Sequence, residues 1–81
     1  MKIILKPVSG TPEANLERAR IEMERVVSFR GTVDSVKALS KTIEVKINVS
    51  PSWDLPQEQK VDSLTQWITA KVRTSFKVVG I

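Results

Sequence analysis

The residues able to do chemistry on a substrate are few. The chain has no histidine, no cysteine and no tyrosine. That removes Ser-His and Cys-His nucleophile pairs, thiolate metal sites and the commonest metal ligand. Three carboxylates, Asp54, Glu58 and Asp62, recur at a spacing of four, which places them on one side of a helix. Such oxygens hold a hard cation only when further oxygen ligands come from elsewhere. Side chains of this kind ordinarily form a solvated helix face. General acid–base catalysis needs groups positioned in a cleft, and this inventory supplies almost none. The expectation is a protein without catalytic residues, metal or cofactor. Val8-Ser9-Gly10-Thr11, close to Lys6, leads into a helix start, where anions can bind. With one glycine and no multi-glycine pattern, it reads as an ordinary capped loop.

Binding chemistry is better represented. The formal net charge is +4, a balance that favours acidic partners, either nucleic acid or acidic protein surfaces. Trp53 stands in a Pro-Ser loop and Trp67 on the flank of a helical stripe. Tryptophan is enriched at interface hot spots and also seals the rims of small cores.

The elements that must carry these residues follow from periodicity. Thr42 to Val49 alternates strictly, with Ile43, Val45, Ile47 and Val49 on one side and Thr42, Glu44, Lys46 and Asn48 on the other. That is a half-buried strand. Thr32 to Leu39 precedes it with Val33, Val36 and Leu39 three apart, a spacing that a bulge or an early turn reconciles with a strand. Ser40-Lys41 then closes a hairpin that sets Lys37 opposite Glu44 and Val36 opposite Val45. Lys2 to Lys6 is a first strand, ended by Pro7.

Thr11-Pro12-Glu13 starts a helix over residues 12 to 29, with Leu16, Ala19, Met23, Val26 and Val27 as its apolar stripe. Gly31 suits the left-handed position past its end. Asp54 and Gln57 fit a capping box, and Val61, Leu64, Ile68, Val72 and Phe76 form a second stripe. Phe76 to Ile81 reads as a last strand. The order β-α-β-β-α-β predicts an α+β, ferredoxin-like two-layer sandwich: a four-stranded antiparallel sheet with two helices on one face. The competing reading is a three-stranded sheet whose second helix runs to the end.

With 81 residues the chain is expected to form a single domain, 1–81, with a modest core. An apolar content of 41% and a charged content of 27% fall in the globular range. The only apolar run near the start, Ile3-Ile4-Leu5, is far short of a signal peptide or a membrane span, so a cytoplasmic protein with no membrane partner is expected.

Parity on the open sheet face leaves Lys2, Ile4, Lys6, Glu44, Lys46, Asn48, Lys77, Val79 and Ile81 pointing away from the helices. RNA readout on such a face needs stacking rings on the central strands, and none is there. An apolar centre within a charged rim is the pattern of a small interface. The expectation is therefore a small non-catalytic, regulatory binding module, an adaptor or inhibitor. It would take a protein partner or a second copy of itself through Ile4, Lys46, Trp53, Val79 and Ile81. A small inhibitor carried by a virus or mobile element would suit this length. The alternative is nucleic-acid (RNA or DNA) backbone binding, without sequence preference, through Lys2, Lys6, Lys37, Lys46 and Lys77.

Overall fold

The computed structural model describes residues 1–81. Strand β1 is Lys2–Pro7. A 3-10 turn, Glu13–Asn15, leads into helix α1, Leu16–Val27. Strands β2, Gly31–Ala38, and β3, Ile43–Val49, follow, then helix α2, Gln57–Val72, and strand β4, Phe76–Gly80. The sheet order is β2-β3-β1-β4 and every pairing is antiparallel. This is the ferredoxin-like arrangement, and β4 pairs with β1, so the second helix stops before the chain does.

Alternation makes the hairpin register. Val36 lies opposite Val45 and Lys37 opposite Glu44, as the two-residue connection requires. The Leu39 N–H donates to the Thr42 carbonyl at 2.8 Å across Ser40-Lys41. The three-residue spacing of Val33 and Val36 is absorbed by a register step at Asp34: Val33 pairs with Ile47 and Ser35 with Lys46. Val33, Val36 and Ala38 consequently share the helix-facing side.

The core is built from one side of the sheet and two helical stripes. Ile3, Leu5, Ile43, Val45, Ile47 and Phe76 meet Ala19, Met23 and Val27 of α1 and Leu64, Ile68 and Val72 of α2, all buried. No polar or charged side chain is buried with them. Each large aliphatic residue of this set contributes roughly 1.5–3 kcal/mol of transfer free energy. That burial, rather than helix propensity, holds two short helices in place.

Three local expectations need correction. The first helix is regular only to Val27, and residues 28–30 form a turn. Gly31 is not in the left-handed region; the only positive φ in the chain is that of Gly10, at 84°. Gly31 opens β2, and its missing side chain lets β3 come close. A Cβ there would overlap the Asn48 carbonyl oxygen, with the carbonyl carbon at 3.1 Å and the Val49 Cα at 3.2 Å. The capping box at Asp54 also fails to form. Helix α2 starts at Gln57 behind Pro56, whose ψ of 148° is extended, and no side chain caps it. Proline at 56 pushes Leu55 out of the helical region, so the first turn that the box would need is never made. Thr11, by contrast, does cap: its hydroxyl accepts from the Ala14 N–H at 3.2 Å.

Candidate functional site

Both helices lie on one side of the sheet, so its other side is the broadest surface left open. On β1 that side carries Lys2, Ile4 and Lys6. On β3 it carries Glu44, Lys46 and Asn48, and on β2 Thr32, Ser35 and Lys37; Lys77 adds to it from β4. Strand pairing then sets lysine against lysine. Lys2 faces Lys46 across β1 and β3, and Lys6 faces Lys77 across β1 and β4. Like charges directly opposite one another destabilise a sheet. One carboxylate at the paired positions relieves the first of these pairs: Glu44 Oε1 lies 3.4 Å from Lys2 Nζ. It also stands opposite Lys37. Lys6, Lys37, Lys46 and Lys77 form no ion pair. Five lysines against one glutamate equal the formal net charge of the whole chain, +4.

Of the apolar residues expected on this face, Ile4 lies on it and is half-buried, and Val79, 47% exposed, stands beside it on β4. Ile81, 61% exposed, follows the end of β4, and Gly80 rather than Ile81 shares the open face with Ile4. Their arrangement is not plain alternation. Leu5 pairs with Val78, but Ile4 pairs with Gly80, so Val79 is the extra residue of a bulge. A Cβ on Gly80 would stand 3.5 Å from Ile4 Cγ1; its absence leaves the flank of Ile4 uncovered.

Trp53 is not part of this patch. It follows the far end of β3, whereas Ile4 lies opposite Glu44 near that strand's beginning. The structure brings Trp53 to Arg30, whose guanidinium carbon is 5.0 Å from the ring centroid. The same guanidinium lies 4.9 Å from the Phe29 ring. Phe29 meets Trp67 edge to face, with centroids 5.6 Å apart and planes at 78°. Lys71 Nζ stands 4.5 Å over Trp67, whose indole N–H donates to the Val26 carbonyl at 3.0 Å. The loop is tied to this corner by the Ser50 N–H, which donates to the Arg30 carbonyl at 2.7 Å. Trp53, Arg30, Phe29, Trp67 and Lys71 thus form one continuous ladder of rings and cations. Phe29 and Arg30 carry no signal of this in the sequence, because the ladder exists only once the 28–30 turn, the loop after β3 and α2 have come together.

The carboxylates Asp54, Glu58 and Asp62 do not converge; no group of three or more metal-ligating side chains comes together anywhere in the chain. No helix is long and apolar enough to cross a membrane. Compared with family models, curated proteins and solved structures, the chain matches none.

Proposed function

We propose that the protein is a cytosolic, non-catalytic binding module that takes an acidic protein partner on its open sheet face, in the manner of an adaptor or inhibitor. The supporting observation is the charge arrangement: two lysine–lysine cross-strand pairs with a single carboxylate among them, next to half-buried Ile4 and exposed Val79. A partner's carboxylates would relieve the lysine repulsion, and its apolar residues would cover the β4 side. A second copy is the weaker fit for this face, because pairing the same surfaces brings lysines against lysines. Complementary charge speeds encounter and rejects wrong partners more than it raises affinity, which suits a small regulatory protein.

The same lysines favour a second reading, contact with nucleic-acid phosphates. It needs no apolar edge and leaves Ile4 and Val79 without a role. Two variants separate the readings, each checked for an unchanged thermal transition. Lys46→Glu should weaken either partner. Ile4→Ser, which removes the apolar contact without changing the charge, should weaken capture of a protein partner strongly yet leave phosphate binding within a few-fold. Nucleic-acid binding should also fall steeply with salt, by roughly one power of salt concentration for each phosphate contacted. A complex untouched by both substitutions rules out this face.

A further inference from the structure

The ring and cation ladder lies away from the apolar edge of the sheet and is not needed for the proposal above. Phe29 is 52% exposed and Trp67 41% exposed, so neither ring is spent on sealing the core. Arg30 and Lys71, which interleave with the rings, form no ion pair. The only hydrogen bond from the Arg30 side chain goes to the Phe29 carbonyl, at 3.4 Å. Two cations are therefore held against ring faces with their charge available to an anion.

Beside Phe29 is an open recess of about 360 Å³, also lined by Thr32, Asn48 and Ser50. These are hydrogen-bonding side chains within reach of a planar group lying against the ring. Thr32 and Asn48 are paired with each other on the open sheet face, one step along from Lys46 and Ser35. The recess thus joins the ladder to the lysine surface.

Stacking rings interleaved with free cations, beside a basic surface, are the parts with which proteins hold single-stranded nucleic acid. We propose that the ladder binds single-stranded nucleic acid with little sequence preference. Bases stack on Phe29 and the Trp67 indole, Arg30 and Lys71 take phosphates, and the recess accepts the edge of one base. The missing aromatic platform of the sheet is thereby supplied at its end, from the α1–β2 turn, the loop after β3 and helix α2.

The chain itself carries the probe. Trp53 and Trp67 are its only tryptophans and it has no tyrosine. Titrating a short oligothymidylate into the full chain at low salt should quench tryptophan emission. Single Trp53→Phe and Trp67→Phe variants then show which indole stacks. Phe29→Ala should weaken binding roughly 5- to 150-fold, the equivalent of one stacked base. Arg30→Lys, which keeps the charge but loses the planar fork, should weaken it as well. If Phe29→Ala lowers the thermal transition, Arg30→Lys carries the test alone.

Three results would overturn the proposal. One is no quenching at low salt. Another is equal quenching by polyglutamate, which would make the ladder a site for acidic peptide. The last is binding that survives Phe29→Ala and Arg30→Lys but is lost in Lys46→Glu, which would place the nucleic acid on the sheet alone. Failure of the ladder leaves the protein-binding face standing, since that face depends on Ile4 and Lys46.

Discussion

Phe76→Ala should lower the stability of the protein by about 3–5 kcal/mol, the usual result of emptying a large aromatic site in a core. Phe76 is 1% exposed and is the largest fully buried side chain. It sits at the first position of β4, paired with Pro7, where the last strand joins the sheet. Its ring fixes that strand against the helix layer. Natural domains hold about 0.05–0.15 kcal/mol per residue, so this loss is a large share of what 81 residues supply. Thermal unfolding should show it as a fall of the midpoint on the order of 20 °C. A midpoint within a few degrees of wild type would mean that β4 is not held by this packing. Because β4 also carries Lys77 and Val79, the same variant should lose partner binding as it unfolds.

Gly31→Ala should lower stability by about 1–3 kcal/mol, although it replaces glycine with a better-behaved residue in a strand. The usual expectation runs the other way, since removing a glycine stiffens the unfolded chain. What reverses the sign is backbone. The new Cβ would overlap the Asn48 carbonyl oxygen in the neighbouring strand, and a carbonyl within a sheet cannot rotate aside as a side chain can. Relief requires β2 and β3 to part at the point where Gly31 pairs with Val49. That point adjoins both Arg30 and the recess beside Phe29, so the substitution should disturb the ladder too. Chemical denaturation measures the loss; an unchanged or higher stability would show that the strands are farther apart there than described.

These two residues show what the sequence could and could not tell. The strand pairing was legible because it is a local matter. Strict alternation from Ile43 to Val49 and a two-residue connection leave one register for Val36 and Lys37. The three-residue step from Val33 to Val36 already signalled the bulge. The open face was legible by parity except on β4, where the bulge at Val79 breaks the alternation.

Gly31 was misread because glycine after a helix is far more often a left-handed cap than a site of close strand approach, and only the neighbouring strand distinguishes the two. At Asp54 the misreading was avoidable in principle, since Pro56 already disfavours a helical Leu55. The ladder was illegible for a different reason. Trp53 and Trp67 were visible singly, but Arg30 and Phe29 acquire meaning only through contacts between a turn, a loop and a helix that are distant in the chain. Charge showed a similar limit. The excess of lysine is plain in the composition, while the opposition of Lys2 to Lys46 and Lys6 to Lys77 needs the sheet order.

On the function proposed above, the partner lands on the open sheet face, at its lysine pairs and Ile4. Amide shift mapping on isotope-labelled protein tests it most directly, as the partner recovered by the wild-type protein and lost by Lys46→Glu is added. Perturbations should cluster at Lys2, Ile4, Lys6, Glu44, Lys46, Lys77 and Val79, with the outer faces of α1 and α2 silent. Perturbations confined to the helices, with the β1 and β3 amides unmoved, would contradict it.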